Sequence, residues 1–322
     1  MQNPTLRPLG RSGFQVAPLA LGTNVFGWTI DDTQSFKILD AFVEAGFNLV
    51  DTADVYATWK PGNKGGESET IIGAWLKQGG GRREKVVLAT KVGGDMGQGG
   101  KSLKKSYIKK AVGDSLRRLQ TDVIDLYQAH WDDETLPVSE PLEAFAELIQ
   151  EGKVRAIGAS NFSGARLREA LEYSAANGLP RYETFQPEYN TYARERFETE
   201  YGPIVQEENV AVISYYALAS GFLSGKYRKP EDAEKSARGS GIVQKYVNPR
   251  GLRILDALDE VAERYQSNPA TVALAWTMAR PGITAPIASA TSVEQLHDIL
   301  RAVDLQLDGA AVSRLNEASA AS

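Results

Sequence analysis

Eight short apolar runs separated by stretches of helical period set the strongest constraint on how this chain of 322 residues can fold. They are "APLALG" (17–22), "FNLVD" (47–51), "VVLATK" (86–91), "VIDLYQA" (123–129), "VRAIGAS" (154–160), "ETFQ" (183–186), "VAVISYY" (210–216) and "ITAPIAS" (283–289). Runs this short and this continuous read as strands buried on both faces, as in a parallel sheet. Between them, Phe36/Leu39/Val43, Ile71/Ile72/Trp75/Leu76, Ile108/Ala111/Val112/Leu116/Leu119, Leu142/Phe145/Leu148/Ile149 and Leu167/Ala170/Leu171 recur at helical spacing. Each group offers one apolar stripe to lay against such a sheet.

Eight strand–helix units predict an α/β fold, a (β/α)8 barrel of the TIM type, as one domain over residues 1–322. A doubly wound sheet would carry G-x-G-x-x-G after its first strand, and "LALGTNVFG" has only Gly22 and Gly27. "RPLGRSGFQV" (7–16) predicts a β-hairpin ahead of the barrel. The segment 217–250 lacks a period and predicts a long functional loop over a ligand, and 317–322 a frayed tail.

Composition removes several chemistries. The chain has no cysteine and two histidines, His130 and His297, so thiolate catalysis and cysteine-based metal sites are excluded and no metal site is expected. A net charge of -5 offers no general attraction to nucleic acid or anionic membrane. No stretch approaches the roughly 20 apolar residues of a membrane span. The expectation is a cytoplasmic protein acting on a small molecule, with oligomerisation permitted. In "GGDMGQGGKSL" a phosphate-binding Walker loop fails because Asp95 stands where its first glycine is required. That stretch predicts a glycine-rich loop over the barrel mouth, with Ser102 starting a helix.

In a barrel, polar groups at the carboxyl ends of strands face the active site. Here those ends supply Asp51, Lys91, His130, Ser160 with Asn161, Gln186 and Tyr215. Tyr56, five residues after Asp51, is a candidate proton donor. A phenol has a pKa of about 10 and needs a nearby cation to ease its ionisation. Lys91 can supply the cation, Asp51 can hold Lys91 charged, and His130 can orient a carbonyl oxygen. Asp54 reads as a loop or helix-start residue. A glycosidase pair made of Asp51 and Asp54 is disfavoured, because both acids lie in one strand-end loop rather than across a sugar.

"NLVDTADVY", "VVLATKVG", "SLRRLQTDVIDLYQAHW", "GKVRAIGASNF", "FQPEYN", "GFLSGKY" and "ATSVEQL" follow one another along the chain. In that order they resemble the landmarks of the aldo-keto reductases, specifically the bacterial branch related to the β subunits of voltage-gated potassium channels. The resemblance implies a barrel that binds NADP(H) or NAD(H) and moves a hydride between nicotinamide and the carbonyl of an aldehyde or ketone. Asp51, Tyr56, Lys91 and His130 fall on that family's catalytic tetrad.

The same resemblance implies that Ser160, Asn161 and Gln186 meet the nicotinamide carboxamide and that Tyr215 stacks on its ring, with Gly22 and Thr23 at the turn below. Leu218, Ser220, Gly221, Leu223 and Lys226 would line the pyrophosphate, and Ser289, Thr291, Gln295 and Asp298 the adenosine end. Apart from the resemblance, Phe26, Trp28, Trp59 and Trp131 sit near loop positions that would ring the nicotinamide and favour an apolar or aromatic carbonyl compound, with Tyr56, Trp28, Trp59, His130 and Trp131 expected to meet it. Ser160, Asn161 and Ser163 also read as helix caps. The chain departs from the pattern at Tyr216–Ala217 and at Ala288–Ser289, and Gln295 stands where some relatives have arginine. Arg238 is the remaining cation for a 2′-phosphate, so NADP(H) is expected over NAD(H). A cofactor-holding, redox-sensing subunit with little turnover is the alternative reading.

Overall fold

The computed structural model describes residues 3–236 and 238–320. Residues 321 and 322, the end of the expected frayed tail, lie outside the described residues. Two short strands, β1 (Arg7–Pro8) and β2 (Gln15–Val16), pair antiparallel as the predicted hairpin. The hairpin closes the bottom of the barrel. Leu9 and Val16 are fully buried against the inward-facing Leu49, Val87, Leu126, Ala156 and Ile213. Arg7 fastens it by donating through Nη1 to the carbonyl oxygens of Met278, Ile283 and Thr284, each at 3.1 Å.

Eight parallel strands follow: β3 (Ala20–Gly22), β4 (Leu49–Asp51), β5 (Val87–Val92), β6 (Ile124–Ala129), β7 (Val154–Ser160), β8 (Tyr182–Gln186), β9 (Ala211–Val212) and β10 (Ile287–Ala288). Each from β3 to β8 pairs with the next in sequence, and β10 returns to β3. The remaining seam closes where Ala285 N donates to Val212 O at 3.1 Å and Ile287 N to Ser214 O at 2.8 Å. This is the expected (β/α)8 barrel. The last two strands are shorter than the apolar runs suggest. Val212 O accepts from both Thr284 N and Ala285 N, and Pro286 has no N–H to donate, so the ladder there is irregular.

Helices occupy the predicted intervals: α1 (Asp32–Glu44), α2 (Glu67–Lys77), α3 (Lys105–Leu119), α4 (Ser139–Gln150) and α5 (Gly164–Asn177). In α1 the buried stripe is Ile38, Leu39 and Phe42, with Phe36 and Val43 on its flanks. α3 starts at Lys105, after Ser102, whose Oγ accepts from Lys104 N at 3.3 Å. Ser163 is the cap of α5, accepting from Arg166 N at 3.3 Å, so Ser160 is left for other contacts.

Further along come α6 (Gly202–Glu207), α7 (Gly239–Tyr246), α8 (Pro249–Arg264), α9 (Pro269–Met278), α10 (Val293–Leu300) and α11 (Gly309–Ser319). The segment 217–250 therefore holds a helix of its own, α7, which buries Ile242 and Tyr246. α11 carries the chain in helical form to a fully buried Ser319. Among the described residues no helix is long and apolar enough to cross a membrane.

Candidate active site

The carboxyl ends of β4, β5, β7 and β8 bring Asp51, Lys91, Ser160 and Gln186 into neighbouring register, with Asp51 opposite Ala89 and Ser160 opposite Gln186. Lys91 is fully buried, and its ammonium donates to Asp51 Oδ2 at 2.6 Å, to Thr52 O at 2.8 Å and to Tyr56 OH at 2.9 Å. An ammonium has three N–H donors, and all three are used. The phenol oxygen of Tyr56 is an acceptor toward Lys91. Its contact with Asp51 Oδ2 is 3.5 Å, too long to hold the hydroxyl proton firmly. The other Asp51 oxygen accepts from Gln128 Nε2 at 3.2 Å and Gln186 Nε2 at 3.0 Å.

Burial opposes the charge on Lys91, yet Asp51 and Tyr56 together outweigh it, and its pKa moves up. Tyr56 is pushed up to about 12: burial raises it most, Lys91 pulls it down and Asp51 pushes it up again. Lys91 thus acts on Tyr56 with the expected sign, but the expected net lowering is absent, because the desolvation of a buried phenolate is larger. At rest Tyr56 keeps its proton. His130 moves well below its usual value, through burial first and then the charges of Lys91 and Lys101, and so is neutral near pH 7. Its ring stacks on Trp131 at 3.7 Å and lies 6.1 Å from the Tyr56 ring, and its buried Nδ1 has no partner among the described residues.

Tyr56 and His130 open onto a cavity of about 920 Å3 that runs across the barrel mouth. Its walls include Gly22, Trp28, Trp59, Trp131, Ser160, Asn161, Gln186, Tyr215, Leu218, Ser220, Gly221, Lys226, Arg238, Ser289, Thr291, Gln295 and Asp298, all singled out from sequence. Asp51 and Lys91 sit behind Tyr56, outside the wall. Three of the residues singled out from sequence lie off this wall. Phe26 is fully buried in the core and Leu223 likewise, both turned inward from their loops. Thr23 is buried too, its hydroxyl donating to Asp51 O at 3.0 Å.

A family model described as the aldo/keto reductase family matches residues 18–320. The chain belongs to that family. Among its relatives, the "Uncharacterized oxidoreductase YrpG" of Bacillus subtilis (strain 168) is 37% identical over 318 residues, covering 96% of this chain and 94% of that one. The "Aldo-keto reductase YhdN" of the same organism is 34% identical over 284 residues, 84% of this chain and 80% of that one. A "Probable voltage-gated potassium channel subunit beta" of Oryza sativa subsp. japonica is 32% identical over 307 residues, covering 92% and 90%.

In this aldo/keto reductase the cavity wall is hydrogen-bonded to itself. Asn161, at a left-handed φ of 56°, donates to His130 O at 2.8 Å and accepts from Tyr215 OH at 2.9 Å. Ser160 Oγ donates to Gln186 O at 2.8 Å. Gly22 lies so close to the last strand that a Cβ there would stand 2.6 Å from Ile287 Cγ2 and 2.8 Å from Ser289 Oγ. Ser289 in turn donates to Asn24 Oδ1 at 2.6 Å. Tyr216 has a φ of 53° and is 47% exposed at the mouth. The 217–250 segment reaches across to the opposite wall, where the Arg238 guanidinium sits 5.3 Å from the Trp28 ring. Tyr227 OH donates to Ser236 Oγ at 2.8 Å and pins that crossing. His297 is exposed on α10 beside Gln295 and Asp298.

Sequence reasoning missed Gln128, whose only signal is an amide in a short buried strand that also carries Asp125, and Asn24 on the cavity wall. Asp54 lies in the loop after β4, the first of the two places expected for it, but as a fully buried acid, which the sequence did not signal. Neither carboxylate oxygen of Asp54 has a hydrogen-bond partner among the described residues. Glu69 lies close by, receiving Thr90 Oγ1 and Arg118 Nε, each at 2.6 Å. Burial first and the charge of Glu69 second raise the pKa of Asp54 to about 8, against weaker opposing pulls from the Val55 amide, Arg118 and Lys91.

An unfolded Asp ionises near pH 3.9. Between that pH and about 8 the folded state alone holds the proton, so this group's contribution to stability falls as pH rises through that window. Asp54→Asn should therefore raise the melting temperature more at pH 8 than at pH 5, by about 1–3 kcal/mol of added stability at the higher pH. A mutant that melts below the wild type at pH 8 would contradict this.

Proposed function

We propose that the protein reduces the carbonyl of an aldehyde or ketone with NADPH, Tyr56 giving the proton to the carbonyl oxygen. The observation that carries this reading is the buried Asp51–Lys91–Tyr56 chain, in which Lys91 donates to the oxygen of a phenol that lines the cavity and has no close acceptor for its own proton. Bound nicotinamide would supply the hydride. As the carbonyl oxygen becomes an alkoxide, its basicity approaches that of hydroxide (water pKa about 15.7), so even a phenol at about 12 gives up its proton downhill. Lys91 then lies 2.9 Å from the phenolate that remains. His130, being neutral, serves as a hydrogen-bond donor that orients the carbonyl and not as a second acid. The reverse oxidation of an alcohol uses the same groups.

The chemistry of the cavity wall fits a nicotinamide dinucleotide. Amide and hydroxyl groups (Ser160, Asn161, Gln186) suit a carboxamide that donates and accepts. Tyr215 offers a ring face beside them. The left-handed backbone at Ser220 and Gly221, with Lys226 and Arg238, suits phosphate. Thr291, Gln295 and Asp298 suit a nucleoside. Gln295 Oε1 already accepts from Thr291 N and Oγ1, which leaves Arg238 as the cation for a 2′-phosphate. A titration of nicotinamide fluorescence tests both points. NADPH should bind more tightly than NADH, and Arg238→Ala should weaken NADPH about tenfold while changing NADH less than twofold. Binding of neither cofactor would sink the proposal.

The similarity to the rice channel subunit motivates a second reading, in which this chain is a subunit that holds a cofactor and senses its redox state with little turnover. Tight NADPH binding without turnover over a broad aldehyde panel would favour it. The complete Asp51–Lys91–Tyr56 chain favours catalysis.

A further inference from the structure

Strand β6 carries into the barrel an amide that the mechanism above does not use. Gln128 is fully buried, with Lys91 opposite it on β5 and Gly158 opposite it on β7. Gly158 makes room for it: a Cβ there would collide with Thr184 Oγ1 and stand 3.1 Å from Gln128 Cγ. The long side chain thereby bridges two other strands. Gln128 Nε2 donates to Asp51 Oδ1 on β4 at 3.2 Å, and Gln128 Oε1 accepts from Gln186 Nε2 on β8 at 3.3 Å. Gln186 Nε2 also donates to Asp51 Oδ1, at 3.0 Å.

The chemistry of the three groups fixes the direction of these bonds. Asp51, the carboxylate partner of Lys91, can only accept, so both amides must turn nitrogen toward it. The Gln186 nitrogen has two N–H groups, and Asp51 takes one while Gln128 Oε1 takes the other. Among the described residues, every hydrogen bond of the Gln186 side-chain amide runs through this nitrogen. Its oxygen is left as an unspent acceptor on a residue of the cavity wall. The neighbouring amide, Asn161, is engaged at both ends, Nδ2 by His130 O and Ser160 Oγ and Oδ1 by Tyr215 OH. Without Gln128, one N–H of Gln186 would be buried and unpaired, and turning the amide over would relieve that cost.

We propose that Gln128 is a positioning residue for hydride transfer: it holds the Gln186 amide with its oxygen toward the cavity, where that oxygen accepts an N–H of the nicotinamide carboxamide and sets the turn of the ring. The inference rests on the reductase reading above and adds to it a residue behind the cavity wall. Gln128 touches neither cofactor nor substrate and acts through Gln186.

The test compares the binding of NADP+ with that of its 3-acetylpyridine analogue, in which a methyl group replaces the carboxamide NH2 and the carbonyl oxygen stays. Dissociation constants are read by isothermal titration calorimetry, without turnover. The wild type should bind NADP+ about tenfold more tightly than the analogue, the ratio that one hydrogen bond produces. Gln128→Met should bring the ratio below about threefold by weakening NADP+, with the analogue changed less than about twofold. Loosened packing alone would weaken both dinucleotides alike. Gln128→Asn, one bond too short to reach Gln186, should act as Gln128→Met does, so a folding failure in one variant leaves the other to decide. Gln186→Met should bring the ratio to about one. A ratio of about threefold or more in the folded Gln128 variants, or a wild type without preference, overturns the inference alone. A wild type that binds neither dinucleotide overturns the reductase reading, and the inference falls with it.

Discussion

Tyr56→Phe is expected to lower kcat for reduction of an aromatic aldehyde by about 10^2 to 10^4-fold, with NADPH affinity changed less than about threefold. Phenylalanine keeps the ring that packs near Trp59 (6.0 Å) and His130 (6.1 Å), so the cavity keeps its shape while the proton is removed. Neutral His130 is no substitute as an acid, because burial and two nearby ammonium groups hold it unprotonated. Stopped-flow absorbance of NADPH separates binding from the chemical step. Retention of more than a tenth of the wild-type kcat would remove Tyr56 from the role of acid.

Lys91→Met is expected to be more damaging to the fold than to cofactor binding. It leaves the Asp51 carboxylate, 1% exposed, without its counter-charge and the Thr52 carbonyl without its donor. Breaking a buried pair by removing one partner costs about 3–5 kcal/mol, which for a chain of this size lowers the melting temperature by roughly 5–10 °C. Removing both charges, as Lys91→Met with Asp51→Asn, should restore much of that stability, because no unpaired ion then remains. Activity should stay lost in the double mutant, since the phenolate left by Tyr56 has no cation beside it. A double mutant no more stable than Lys91→Met would show that the pair's electrostatics do not control folding at this site. A Lys91→Met enzyme with wild-type kcat would show that they do not matter for turnover.

The same residues explain how much was readable in advance. Asp51, Lys91, Ser160 and Gln186 were legible because strand ends in a parallel barrel all point one way, so position along a strand predicts position in the site. The helical stripes were legible because burial follows the helical period. Helix α7 was not. It begins "GSG", poor helix formers, and its burial rests on Ile242 and Tyr246 alone, too few for a period to show. Gln128 and Asp54 were obscured for the opposite reason: each sits within or next to a short buried strand, where a polar letter carries no sign of whether it finds a partner. Gln128 finds Asp51, and Asp54 finds none. Phe26 shows a further limit. Among four neighbouring aromatics, sequence cannot say which loop residue turns into the core and which, like Trp28, faces the cavity. The balance of forces on Tyr56 needed three dimensions, because burial, Lys91 and Asp51 act with different signs.

The most direct measurement follows the hydrogen itself. Reduction of an aromatic aldehyde with NADPH carrying deuterium at one face of nicotinamide C4, followed by mass spectrometry and NMR of the alcohol, reports where that deuterium goes. The account predicts transfer to the carbinol carbon from only one of the two C4 faces, with loss of product formation in Tyr56→Phe. An alcohol whose carbinol hydrogen comes from solvent, or an undiminished yield in Tyr56→Phe, would contradict it.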